Sequence, residues 1–221
     1  MIPWHAIDTV LLDMDGTLLD LHFDNYFWAE HLPTRFAEHH NLSLSTAREH
    51  IHRLVAESEG TLQWYCLDHW TQLTGLPIAA LKAEVAHKIQ TRPHTLKFLQ
   101  FLRAQQKRVL LITNAHRDSL NLKLACTDIA PYFSAIISAH DYQAPKELPQ
   151  FWQALAAAEH FDPARTLFVD DTPRILASAK RFGIAQLLCI TQPDSQRSAN
   201  SCADYLGVAD FDEVIPGVSH E

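Results

Sequence analysis

An apolar run, Val10-Leu-Leu12, ends in two aspartates one residue apart, Asp13 and Asp15, and then in a Gly16-Thr17 turn. Such a run reads as a buried strand that delivers acids to its carboxyl end, and in a parallel α/β sheet that edge is where ligands bind. Carboxylates this close repel each other, which points to a cation between them rather than to a purely structural pair. An Asx turn after a strand accounts for one of the two aspartates but not for both.

Beyond the turn the texture changes. Apolar residues at three- and four-residue spacing predict helices over 25–40, 45–59, 62–73 and 77–90, with Ser43 and Ser45 as candidate caps and Gly60, Gly75 and Pro77 as breaks. From Arg92-Pro93 onward helices alternate with strands: strands over 108–113, 135–138, 166–170 and 185–190, and helices to about 106 and over 118–126, 147–160 and 173–182. This rhythm predicts an α/β fold, a three-layer Rossmann-like parallel sheet with helices on both faces. The domain reading is a catalytic core of residues 1–20 and 92–221 with an inserted all-helical cap domain over 21–91, and 221 residues suit one core with one insertion.

Composition removes several classes of function. A formal net charge of -8 without clustered Lys and Arg argues against nucleic acid as a partner. No apolar run is long enough to span a bilayer, so no membrane role is expected. Cys66, Cys126, Cys189 and Cys202 show no C-x-x-C spacing and no secretory pattern precedes the first strand, which predicts reduced thiols in a cytoplasm. The 14 histidines include no H-E-x-x-H, and His50 and His52 read as surface residues.

Three further strand ends answer the first. Thr113 and Asn114 follow an apolar strand and can hydrogen-bond an anionic oxygen, although a Thr-Asn pair there is more often a turn starter. Lys146, after Pro145, can bring an ammonium to the same edge, although a lone lysine is usually solvated. Asp170-Asp171 closes the next strand, where one of the two can serve as a helix cap. The ordered series of acid pair, hydroxyl, lysine and acid pair is far more specific than any member.

This series resembles the four motifs of the haloacid dehalogenase superfamily of phosphohydrolases, in which a helical cap is inserted after the first motif. The segments Asp8 to Asp20, Phe23-Asp-Asn-Tyr-Phe-Trp28 and Trp64-Tyr-Cys-Leu-Asp68 are similar, more narrowly, to the bacterial GMP/IMP nucleotidases. The resemblance implies a Mg2+-dependent phosphomonoester hydrolase acting through an aspartyl-phosphate on a small molecule, with a purine nucleotide as substrate. Asp13 is then the nucleophile and Asp15 the acid and base, protonated by a crowded anionic setting, while Thr113 and Lys146 stabilise the transferring oxygens. Mg2+ is expected on the Asp13 side chain, the Asp15 backbone carbonyl and Asp171, with Asp170 behind Asp171 or alternating with it. It is read as the only strong positive charge available.

A carboxylate at Asp15 disfavours a dehalogenase, since a halide needs no acid. The phosphonate-cleaving relatives use a cap lysine, and Lys82 and Lys88 both read as helix-surface residues. A phospho-accepting receiver module combines similar groups but leaves no room for the helical insertion, and a sugar-phosphate phosphatase or phosphomutase shares the core. Trp64 and Asp68 are candidate substrate contacts, to stack a base and to accept from its N–H. Most of the neighbouring aromatics, Phe23, Tyr26, Phe27, Trp28, Tyr65 and Trp70, are expected to form the cap's own core.

Overall fold

The structure, a computed structural model, describes residues 2–202 and 204–217. Strand β1 (Thr9–Leu12) leads into a helical stretch: α1 (His22–Tyr26), a π-helical turn over Phe27–His31, α2 (Leu32–His40), α3 (Leu44–Ser58), α4 (Leu62–Tyr65), α5 (Leu67–Thr74) and α6 (Ile78–Glu84). The chain then runs α7 (Thr95–Ala104), β2 (Arg108–Thr113), α8 (Arg117–Ala125), β3 (Ala135–Ser138), α9 (Pro149–Glu159), β4 (Thr166–Asp170), α10 (Pro173–Phe182), β5 (Gln186–Ile190) and β6 (Leu206–Val208).

The strands form one sheet in the order β3-β2-β1-β4-β5-β6, and every neighbouring pair is parallel. A strand with parallel partners on both sides carries helices on both faces, which is why β1 is apolar without alternation and wholly buried. Val10 and Leu12 join one core with Val109, Leu111, Leu167 and Val169, while Leu11 turns to the other with Leu110, Ile112 and Phe168. Trp152 of α9 and Leu176 of α10 close that second face. The expected three layers are therefore present. Strand order reverses at β1, whose neighbours β2 and β4 continue in opposite directions, so a crevice opens at its carboxyl end.

The helical insertion differs from its expected boundaries in ways with local causes. The first helix begins at His22 rather than Asn25 and passes through a π turn, while the stretch expected as 62–73 breaks at Cys66, where φ is -86° and ψ 111°. Ser43 caps α3 as expected, its hydroxyl accepting from Thr46 N at 3.1 Å. Gly75 ends α5 in the left-handed region, with φ 73°. Phe23, Phe27 and Trp70 are buried, with Trp28 tilted 4.7 Å from Trp70, so most of the aromatics here are packing residues. Strand β6 was not expected, because only Val208 of its three residues is buried.

The two ends of the insertion meet at its base. Arg92 N donates to Leu18 O and Asp20 N to Gln90 O, both at 2.9 Å, a short antiparallel pairing. The buried Arg92 guanidinium reaches Thr17 O, Gln192 O and Ala209 O, tying this junction to the chain after β5.

Two expectations are corrected. Cys189 and Cys202 are joined in a disulfide, since the loop after β5 folds back against that strand; only Cys66 and Cys126 are free thiols, and the cysteine argument for a reducing compartment rests on those two. Lys82 is not a surface residue, being 2% exposed. Among the described residues no helix is long and apolar enough to cross a membrane.

Phe168 lies on a central strand with Trp152 edge-on at 5.1 Å. Phe168→Ala is expected to destabilise the protein by about 3–5 kcal/mol, seen as a lower urea midpoint at unchanged slope. A loss below about 1 kcal/mol would contradict the tight packing of this face.

Candidate active site

Each strand that borders the crevice delivers one polar group to it. Asp13 follows β1, and its N–H donates to Val169 O of β4 at 3.0 Å, so the register itself sets Asp13 beside the end of that strand. Asp170 is the last residue of β4 and Thr113 the last of β2. Lys146 Nζ stands between the two acids, 2.5 Å from Asp13 Oδ1 and 2.7 Å from Asp170 Oδ2, and all three residues are buried. Asn114 fixes the lysine from behind: its Oδ1 accepts from Lys146 N at 2.9 Å, and its Nδ2 donates to Glu147. Asn114 thus borders the cavity with its amide already used. Thr113 Oγ1 accepts from Ala115 N at 3.0 Å, which leaves its hydroxyl proton available.

Gly16 permits the turn that follows. Its φ is 85°, and a Cβ there would stand 2.7 Å from Asp171 Oδ2, so the turn both needs the left-handed region and lets Asp171 approach. One carboxylate oxygen from each of Asp13, Asp170 and Asp171 lies within 4.8 Å of the others. An all-oxygen, acid-rich donor set of this kind could hold a hard divalent cation. Lys146 is the ammonium among them. Burial pushes Asp13 up to about 6 against the pull of Lys146, and Asp170 adds to the push. Burial, Asp170 and Asp13 together push Asp171 well above the usual carboxylate range.

Asp15 belongs to a second cluster on the same cavity. Lys123 Nζ of α8 lies 2.6 Å from Asp15 Oδ1 and 2.6 Å from Asp24 Oδ2, and Lys82 Nζ of α6 lies 2.6 Å from Asp24 Oδ1. Phe23 and Phe27 cover the Lys82 ammonium, each ring centroid 4.8 Å away. Burial raises Asp15 to about 6, opposed by Lys123 and assisted by Asp24 and Asp13. For Asp24 burial also acts upward, but Lys123 and Lys82 outweigh it and hold the carboxyl far below its usual range. This corrects the expectation of an uncompensated anionic setting with a metal ion as its only strong positive charge. Three buried lysines line the site.

These groups surround a cavity of about 370 Å³. Asp13, Asp15, Thr113, Lys146, Asp170 and Asp171 border it from the sheet edge, and Asp24, Trp28, Trp64 and Lys82 from the helical insertion. Asp68 does not: it is largely exposed, with its carboxylate 3.7 Å from His116 Nε2. Lys82, Lys123 and Asp24 escaped the sequence reading, yet two of them carried a signal. Ile78, Leu81 and Lys82 share the buried stripe of α6, and Ser119, Leu120 and Lys123 that of α8, so each lysine sits at a position whose period assigns it inward.

A parallel sheet thus carries acids and a hydroxyl at adjacent strand ends, with a lysine from the segment between β3 and α9 among them. The model of haloacid dehalogenase-like hydrolases matches residues 7–183, and the chain belongs to that family. It is 38% identical over 217 residues, 98% of each chain, to the protein named GMP/IMP nucleotidase YrfG in Escherichia coli, and matches its namesake in Shigella flexneri equally well. Among solved structures, a haloacid dehalogenase-type phosphatase from Thermococcus onnurineus superimposes with a TM-score of 0.79 at 22% identity, covering 94% of this chain and 96% of the other. The L-2-haloacid dehalogenase of Xanthobacter autotrophicus does so with 0.60 at 18%, covering 86% and 80%. At those identities the two structures share the fold.

The raised acids make stability depend on pH in a definite direction. Asp13 and Asp15 titrate near 6 in the folded chain and about 4 when unfolded, so between those values the folded state holds more protons. Stability then increases as pH falls through 6 and is fully gained near the unfolded value. In cation-free buffer the melting temperature is expected to rise between about pH 7 and about pH 5. Burial holds the His140 imidazole below its ordinary value, which acts the other way over this interval, so the assignment is read from the variant: Asp13→Asn should flatten part of the rise, and an unchanged slope in that variant would refute it.

Proposed function

We propose that the protein is a phosphomonoester hydrolase with Asp13 as nucleophile and Asp15 as acid and base, and that its substrates are purine nucleoside 5′-monophosphates, GMP and IMP foremost. One observation carries the chemistry: Asp13 and Asp15 open on the same cavity, each held by its own buried lysine, Lys146 and Lys123. The YrfG relatives supply the nucleotide. In this reading residues 21–91 act as a cap over a catalytic core of 1–20 and 92–221, since both segments line the cavity, and the cytoplasm is the setting.

An Asp13 oxygen attacks phosphorus in line, the bond to the ester oxygen breaks, and Asp15 gives its proton to that oxygen, leaving an aspartyl-phosphate. Asp15 then takes a proton from water, whose oxygen attacks phosphorus, and Asp13 departs with its electron pair. Thr113 and Lys146 donate to the transferring oxygens, with Lys146 kept in place by Asn114. Asp13, Asp170, Asp171 and the Asp15 carbonyl are the proposed Mg2+ ligands. The ion would supply the charge that lets a phosphate dianion approach a carboxylate.

Trp64 can stack a base at the cavity wall. Arg174, its guanidinium 5.5 Å over that ring and shared with Glu59 and Glu147, has further N–H groups for the O6 and N7 acceptors of a 6-oxopurine. Adenine puts an amino donor in place of the O6 acceptor and so sets donor against donor.

Asp13→Asn is isosteric but not nucleophilic. It is expected to lower kcat at least roughly a thousandfold with the fold intact by circular dichroism; near-normal phosphate release would end the covalent mechanism. IMP should exceed AMP in kcat/KM by roughly ten- to a hundredfold. Equal values would reject base recognition, and faster hydrolysis of small sugar phosphates would return the site to a phosphatase of another specificity.

A further inference from the structure

Beside the cavity, at the break between α4 and α5, a second cluster of ligating side chains lies outside the reaction described above. We propose that Cys66, His116 and His140 form a binding site for a soft divalent cation of the Zn2+ class, joining the helical insertion to the loops after β2 and β3. The site does not depend on which phosphomonoester the cavity takes.

The sulfur and one nitrogen of each histidine lie within 4.8 Å of one another. Ligand atoms around tetrahedral zinc stand about 3.3–3.8 Å apart, so the set closes on an ion with shifts on the order of 1 Å. His140 supplies the independent sign. Its Nε2 is buried and has no hydrogen-bond partner among the described residues, while the Asn114 main chain interacts with the same ring. A histidine held through one nitrogen, with the other bare and turned inward, has the arrangement that orients metal-ligating imidazoles. The neighbouring His116 ring stands edge-on, 5.1 Å away. Burial and His116 lower the pKa of His140, which favours the neutral, ligating form.

Donor chemistry separates this site from the acidic cluster: one sulfur and two imidazoles select a soft ion, whereas Asp13, Asp170 and Asp171 select a hard one. Asp68, which sequence reasoning had offered as a base acceptor, stands 3.7 Å from His116 Nε2 and is within reach as a fourth ligand. His116 must adjust. Its Nδ1 accepts from Asp118 N at 3.3 Å, and coordination through Nε2 places the proton on Nδ1, whose new acceptor is the Asp118 carboxylate 3.7 Å away. Cys66 binds as thiolate, and its proton passes to solvent.

Titration of the full-length protein with Co2+ at saturating Mg2+ tests the proposal, because a thiolate ligand gives cobalt a near-ultraviolet charge-transfer band that oxygen ligands do not. The band is expected in the wild type and in Cys126→Ser, to be lost in Cys66→Ser, and to be displaced by Zn2+. Zn2+ should raise the wild-type melting temperature by several degrees. His140→Gln should weaken Zn2+ at least roughly tenfold, since loss of even an outer partner does so. Absence of the band in the wild type, its persistence in Cys66→Ser, or equal Zn2+ affinity in His140→Gln would each overturn the assignment. The wild-type spectrum and His140→Gln decide the matter even if Cys66→Ser folds poorly.

Discussion

Lys146 sits between Asp13 and Asp170 where three strand ends converge, and the candidate site depends on that ammonium. Withdrawing two carboxylates from water is costly, and only a partner with short, well-directed contacts offsets it. The surrounding structure is arranged to hold that partner. Asn114 takes the Lys146 N–H, Trp152 Nε1 donates to the Lys146 carbonyl, and Trp152 itself is wedged against Phe168 and Phe151 in the core. Packing on one face of the sheet and charge at its edge are therefore the same problem solved by the same residues.

A second chain of charge, Asp15 to Lys123 to Asp24 to Lys82, alternates between the two parts of the molecule. Asp15 and Lys123 belong to the sheet and its helices, Asp24 and Lys82 to the insertion. Each link is 2.6 Å, and both lysines are nearly inaccessible. The insertion is thus not merely laid over the cavity by apolar contact. It supplies a carboxylate that shares the lysine holding Asp15, so the charge around that residue depends on both parts being in register.

Much of this was legible in the sequence because it is periodic or terminal. The continuous apolar runs at 10–12, 109–112 and 167–169 require a sheet covered on both faces, and the polar residues that end them fall together once the strands are parallel. What escaped depends on contacts far along the chain. A lysine is usually solvated, so Lys82 read as surface and Lys123 drew no reading, even though each lies on a buried helical stripe, and their partner Asp24 is 58 and 99 residues away. Strand β6 has one buried residue and no alternation, and the Cys189–Cys202 bond has a spacing with no recognisable motif. Asp68 stood beside aromatic residues in the sequence, but the turn at Cys66 carries it outward.

The junction at Arg92 has a consequence for how such a molecule can change. Because Leu18 to Asp20 and Gln90 to Arg92 pair side by side, the insertion leaves and re-enters the sheet at nearly the same point. To the core it behaves as a loop with closed ends, whose entropy of closure grows only by about 0.6 kcal/mol for each doubling of length. Helices can be added, lost or replaced between those two strands with little penalty to the fold that carries Asp13 and Lys146. The part of the cavity contributed by Trp28 and Trp64 is free to diverge, while Lys82, bound through Asp24 to the charge around Asp15, stays fixed with the strand ends.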